Sequence, residues 1–125
     1  MKTTIIIPSE DESGLNARIA EHFGRAPFYT VVSLDENGEV TDIKTVNNSG
    51  EHFGGAGHMH DNLLTLKPNA VITFGMGPRG INGFNETGTK VLKATGETVN
   101  DAVNAFKKNE LEELSEACHH AHHHH

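Results

Sequence analysis

The sequence predicts a single α/β domain, a mixed five-stranded sheet with flanking helices. Three observations carry this. The chain opens on Thr3-Thr4-Ile5-Ile6-Ile7, a continuous β-branched run of the kind found in a strand buried on both faces. Asn37-Gly38 lies between two further strand-like runs, which defines a hairpin. From His58 onward helical and strand-like segments alternate, as parallel strands with crossover helices require.

Taken in order, Pro8 ends the first strand, and Ser9 to Gly14 is an acidic polar loop. Leu15 to Ala20 reads as a short helical turn, followed by His22-Phe23-Gly24-Arg25-Ala26-Pro27. Phe28 to Leu34 is the second strand, rich in aromatic and β-branched residues, and turns through Asp35-Glu36-Asn37-Gly38 into Val40 to Val46. Asn47 to Gly57 is a polar connection holding His52 and Gly54-Gly55-Ala56-Gly57. A helix from His58 to Leu66 is expected to bury Leu63, Leu64 and Leu66 before Lys67-Pro68-Asn69 stops it. Ala70 to Phe74 is the next strand, and Pro78 suits the first turn of a short helix through Phe84. Gly88 breaks that helix ahead of the strand Lys90 to Lys93. Thr98 to Lys108 is an amphipathic helix with Val99, Ala102, Val103 and Phe106 at helical spacing. The strand Thr3 to Ile7 is expected at the centre, with the hairpin on one side and Ala70 to Phe74 parallel to it on the other. The domain covers residues 1–110, and residues 111–125 form an acidic, then histidine-rich tail expected to be mobile.

A chain of 125 residues suits one domain able to bury a core without disulfides. Its apolar runs are too short to span a membrane, and its first residues lack a signal-peptide pattern. The single cysteine, Cys118, excludes an internal disulfide and suits a cytoplasmic protein. The net charge of -7, with Lys+Arg 10 against Asp+Glu 17 and no basic run, argues against nucleic acid as a partner. Ten histidines are the compositional anomaly.

Two glycine-rich loops are candidates for ligand binding. Gly54-Gly55-Ala56-Gly57 precedes the helix from His58, and Gly75-Met76-Gly77-Pro78-Arg79-Gly80 follows the strand ending at Phe74. Glycines there leave backbone N–H groups open to a ligand at a helix N-terminus. The second loop falls at the carboxyl end of a parallel strand, where open α/β sheets bind ligands. Arg25 and Arg79 supply charge for an anion. Neither loop is a nucleotide fingerprint. The first lacks the Lys-Ser/Thr of a P-loop, and the second carries Pro78 and Arg79 at the close-approach positions of a dinucleotide site. Taken singly, each loop is better explained by a simple chain turn.

His58-Met59-His60 offers imidazole and thioether ligands, to which His22, His52 and Met76 add, and these suit borderline and soft metals. Residues two apart on a regular helix diverge, so His58 and His60 chelate together only where that turn is irregular. The alternative is a solvated histidine at a helix start. Cys118-His119-His120-Ala121-His122-His123-His124-His125 has the ligand types to bind nickel, zinc or copper. An expression tag would look similar, but Ala121 interrupts the run, Cys118 precedes it and no linker joins it to the domain. Catalytic residues are not expected, because Cys118 lies in the tail and no serine sits in a nucleophile elbow. The first strand also lacks the carboxylates of a two-metal nuclease.

The segments His22-Phe23-Gly24-Arg25-Ala26-Pro27-Phe28, Gly54-Gly55-Ala56-Gly57, Pro68-Asn69-Ala70-Val71-Ile72 and Met76-Gly77-Pro78-Arg79-Gly80 occur in one order. As a set they resemble the dinitrogenase iron–molybdenum cofactor biosynthesis family, over about residues 2 to 108. The resemblance implies a ribonuclease H-like fold without nuclease activity. It further implies a non-catalytic carrier of an iron–sulfur or molybdenum-containing cluster, with a donor or recipient protein in cofactor assembly. Carried over by position, it points to Arg25, Gly54, Gly55, Ala56, Gly57, His58, Met76, Gly77 and Arg79. Family members often have a cysteine where this chain has Ala26, so ligation falls to histidine, methionine or backbone, or the cluster is held by charge. The competing reading is a regulatory or interaction module on the same fold without a cofactor.

Overall fold

A computed structural model of the chain describes residues 2–48 and 63–114. The sheet contains β1 (Thr3–Ser9), β2 (Phe28–Leu34), β3 (Val40–Asn47), β4 (Ala70–Thr73) and β5 (Lys90–Lys93). Its order is β3-β2-β1-β4-β5. β1 pairs antiparallel with β2 and parallel with β4, β2 and β3 form the hairpin, and β4 and β5 are parallel. Two helices are described in full, α1 (Pro78–Glu86) and α2 (Val99–Lys107). The mixed α/β sheet, the central first strand and the positions of its neighbours are as the sequence predicts.

The continuous apolar run of β1 is explained by a separate core on each face of the sheet. Ile5 and Ile7 pack with Val32, Leu34, Ala70, Ile72 and the α2 residues Val99, Ala102 and Val103. Ile6 points the other way, into a core with Tyr29, Val31, Val71, Val91, Leu63 and the α1 residues Ile81 and Phe84. All three isoleucines are fully buried, and burial of each side chain stabilises the fold by roughly 2 kcal/mol.

Several boundaries differ from the sequence reading. β1 continues through Pro8 to Ser9, because Pro8 lacks a donor only where none is needed. Its carbonyl accepts from the Ala20 amide at 2.9 Å, so its nitrogen faces the same way, off the β2 ladder. Leu15 to Ala20 is not helical beyond a single 3₁₀ turn, Gly14–Asn16. Arg18 to Ala20 is drawn out alongside β1, with Glu10 N–H donating to Arg18 O and Ile19 N–H to Glu97 O. That segment ties the end of β1 to the start of α2. β4 stops at Thr73 and leaves Phe74 37% exposed. Residues 63 and 64 are helical, with Leu63 buried and Leu64 half-buried. The chain then turns at once, with Lys67 at φ 52°, which exposes Leu66. The earlier part of that expected helix lies outside the described residues.

α2 starts one residue later than expected because Thr98 caps it. The Thr98 hydroxyl accepts from Asp101 N–H at 3.2 Å, and the Asp101 carboxylate accepts from the amides of Glu97 and Thr98. These bonds hold the Asp101 carboxyl below the usual carboxylate range. α1 runs two residues past Phe84 to Glu86, and Gly88, just beyond its C-cap Thr87, takes φ 85°.

Beyond α2 the chain returns along the outer edge of β5. Lys93 N–H donates to Glu112 O at 2.8 Å and Leu114 N–H to Val91 O at 2.7 Å. Leu111 packs against one core and Leu114 against the other. The strap covers an edge that would otherwise be open to pairing. Replacing Leu111 and Leu114 together by alanine is expected to cost roughly 2 kcal/mol in urea unfolding. An unchanged midpoint would show that the strap contributes nothing to stability.

Candidate functional site

β1, β3 and β4 all run toward the same end of the sheet, and the described candidate segments, those holding Arg25 and Met76 to Arg79, lie there. β4 delivers Thr73, whose hydroxyl donates to Gly75 O at 3.1 Å and accepts from Gly75 N–H at 3.3 Å. These bonds turn the chain sharply into Gly75-Met76-Gly77, and α1 begins at Pro78. Gly77 caps α1 without a side-chain bond, so the first turn relies on backbone alone at its positive end. Arg79 lies exposed in that turn.

The second segment is His22-Phe23-Gly24-Arg25. Phe23–Arg25 forms a 3₁₀ turn, with Phe23 buried and His22 and Arg25 exposed. Phe23 N–H donates to Gly75 O at 3.1 Å, which ties the turn carrying Arg25 to the loop carrying Met76. The Phe23 ring meets Phe84 of α1 edge-on at 5.6 Å and Tyr29 at 5.0 Å. Tyr29 Oη donates to Phe23 O at 2.6 Å.

Asn48 completes the frame. Its backbone N–H donates to Pro27 O at 2.9 Å, and its side-chain amide to Ala26 O at 2.7 Å. The connection that carries Gly54 to Gly57 therefore leaves from this same end of the sheet. Gly54, Gly55, Ala56, Gly57, His58 and His60, together with His52, lie outside the described residues, as do Cys118, His119 and His120.

Of the described candidates, Arg25, Met76, Gly77 and Arg79 thus sit on two segments joined by one backbone bond. Met76 is half-buried against the Ile6 core, and a Cβ on Gly80 would meet its sulfur at 2.8 Å. That thioether fills the space which Gly80 leaves open on α1. Among the described residues no group of three or more His, Cys, Asp or Glu could hold a metal ion, and neither Arg25 nor Arg79 is in an ion pair. No described helix is long and apolar enough to cross a membrane. What the described residues offer a ligand is positive charge and a backbone-capped helix N-terminus, which suits an anion better than a bare cation.

Sequence reasoning missed Phe23, Tyr29, Thr73 and Asn48 as the frame of the site. A signal existed for Tyr29, whose place in a buried strand obliges its hydroxyl to find a partner. None existed for Asn48, because its acceptor is a backbone carbonyl 22 residues away.

The fold is that of a small α/β domain built on one mixed five-stranded sheet. The family described as "Dinitrogenase iron-molybdenum cofactor" matches residues 1–109, and the chain belongs to it. An uncharacterized protein of Methanocaldococcus jannaschii is 28% identical over 101 residues, which are 79% of this chain and 85% of that protein. Among solved structures, PH0822 superposes with a TM-score of 0.73 at 24% identity, covering 91% of this chain and 98% of its own. The apo form of the orange protein from Desulfovibrio gigas superposes with a TM-score of 0.66 at 21% identity, covering 90% of this chain and 92% of its own. The last two likenesses concern the fold.

Burial pushes the Tyr29 phenol up from 10.0 to about 12. The folded chain keeps this proton where the unfolded chain has lost it, so stability is full below pH 10 and falls as pH rises toward 12. The loss should approach roughly 2 kcal/mol, and Tyr29→Phe should remove that part of the alkaline slope. Tyr29 is the only tyrosine and there is no tryptophan, so tyrosinate absorbance reads the titration directly. A midpoint at the ordinary phenol value would contradict a buried Tyr29–Phe23 bond.

Proposed function

We propose that the protein is a non-catalytic carrier of an anionic iron–sulfur or molybdenum-containing cluster. The cluster is cargo, held at the end of the sheet where β1 and β4 finish, and exchanged with a donor or recipient protein in cofactor assembly. The observation that carries this reading is the Phe23–Gly75 hydrogen bond. It brings together two of the segments that carry the family resemblance, one bearing Arg25 and the other Met76, Gly77 and Arg79. Gly54 to Gly57 and His58 belong to the same proposed site, on the connection that departs from Asn48.

The chemistry of the described residues fits such a cargo. Guanidinium groups make charge-assisted bonds to sulfide or oxo ligands, and backbone N–H groups at a helix start add donors without adding bulk. Ala26 supplies no thiolate. A cluster held by charge and hydrogen bonds exchanges more readily than one locked by several metal–thiolate bonds, and a carrier must release what it binds. Arg25 and Arg79 also offset locally a chain whose net charge of -7 would repel an anionic cluster.

The test is anaerobic reconstitution with cluster, read by visible spectrum and by iron and molybdenum analysis. The chain should take up metal in stoichiometric amount. Arg79→Ala should weaken uptake about tenfold, as expected for loss of one charged contact, and should shift stability by less than about 0.5 kcal/mol. Uptake that is unaffected in both Arg79→Ala and His58→Ala would remove these loops from the function.

A further inference from the structure

The segment Val40-Thr41-Asp42-Ile43-Lys44-Thr45-Val46 reads alike from both ends, except that Asp42 and Lys44 exchange places. Two such strands laid antiparallel about a two-fold axis through Ile43 would match residue for residue. In sequence Val40 matches Val46 and Thr41 matches Thr45, and at the centre Ile43 would face its own copy. Each Asp42 would stand opposite a Lys44 of the other chain, giving two opposite-charge pairs.

The segment lies in β3, the outermost strand, and no described residue pairs with its outer edge. Asp42, Ile43 and Lys44 are exposed, and Ile43 keeps 39% of its surface accessible, a large apolar side chain on an open edge. The main chain is set correctly as well. Asn48 N–H donates to Pro27 O, and an antiparallel ladder alternates from there. Val46, Lys44 and Asp42 thus direct their main-chain groups to β2, while those of Ile43 and Thr45 face outward. Two Ile43 residues across a two-fold axis can then exchange both N–H···O=C bonds. The Asp42–Lys44 pairs fall at the closely spaced, non-hydrogen-bonded positions, where side chains approach best.

Charges on an edge strand ordinarily discourage pairing, because an arbitrary partner leaves them unmatched. Here the matching charge is encoded two residues away in the same strand. A register irregularity beside Leu34 and Val40 limits the regular ladder to the stretch from Asp42 onward, so the contact is short. We propose that two copies of this chain associate through β3, joining their five-stranded sheets into one continuous sheet through a self-complementary, concentration-dependent contact.

Sedimentation velocity over a concentration series on the full chain tests this. The dimer fraction should rise with concentration. Asp42→Lys and Lys44→Asp should each weaken association about tenfold or more, since two-fold symmetry doubles every new like-charge pair. The double variant Asp42→Lys with Lys44→Asp restores the complementarity and should regain the dimer. Thermal melts of all variants confirm folding, which these exposed positions should leave intact. A chain that stays monomeric throughout, a dimer indifferent to the single reversals, or a double variant that stays monomeric would each overturn the proposal.

Discussion

The structure depends on β1 being buried on both faces. Ile5, Ile6 and Ile7 alternate between two cores, so this strand can sit only at the centre of the sheet with cover on either side. Everything else is arranged to supply that cover. The hairpin takes one edge of β1 and β4 takes the other. α1 closes the face holding Ile6, and α2 closes the face holding Ile5 and Ile7. A polar residue at any of these three positions would leave a buried group unpaired in the core it faces.

The same constraint shapes the candidate site. A central strand with a parallel neighbour ends where its crossover begins, and the segments around that end have backbone groups that the sheet no longer satisfies. At the end of β1 and β4 these groups are partly met by one another, through Phe23 with Gly75 and Tyr29 with Phe23. An aromatic cluster of Phe23, Tyr29 and Phe84 makes a firm floor under a turn whose outward side carries His22 and Arg25. The floor is fixed by burial and the rim by charge. Such a division suits recognition of an anionic ligand that must arrive and leave without reordering the core.

Much of this was legible in the sequence, for identifiable reasons. The three isoleucines announce a doubly covered strand because no one-sided strand would forgo polar alternation. Asn37-Gly38 announces the hairpin, since both residues tolerate the backbone such a tight turn needs; Gly38 takes φ 84°. What stayed hidden rests on long-range contacts. Pro8 looked like a strand end because its missing donor is local information, whereas the side of the ladder it faces is not. Leu15 to Ala20 carries apolar residues at spacings that suit a helix or a strand, and only the proximity of β1 and Glu97 decides for the extended form. The strap from Leu111 to Leu114 looked like the start of a tail because its acidic side chains face solvent and its anchoring is mostly backbone. For the candidate site, Arg25, Met76, Gly77 and Arg79 were readable as glycine-loop and charge motifs. Their support by Thr73 and Asn48 was not, since each bonds to backbone atoms that no side-chain pattern reveals, and for Tyr29 only the need for a partner was readable, not which one.

The most direct measurement of whether this end of the sheet is where the protein meets its ligand is a residue-by-residue map of backbone amide shifts. Titration of the folded chain with a soluble anionic iron–sulfur or thiomolybdate cluster would provide it. The account predicts that perturbation concentrates on His22 to Arg25 and Gly75 to Gly80, with the far end of the sheet around Asn69 and Lys90 unmoved. Shifts centred on that far end, or spread evenly over the exposed basic side chains, would contradict it.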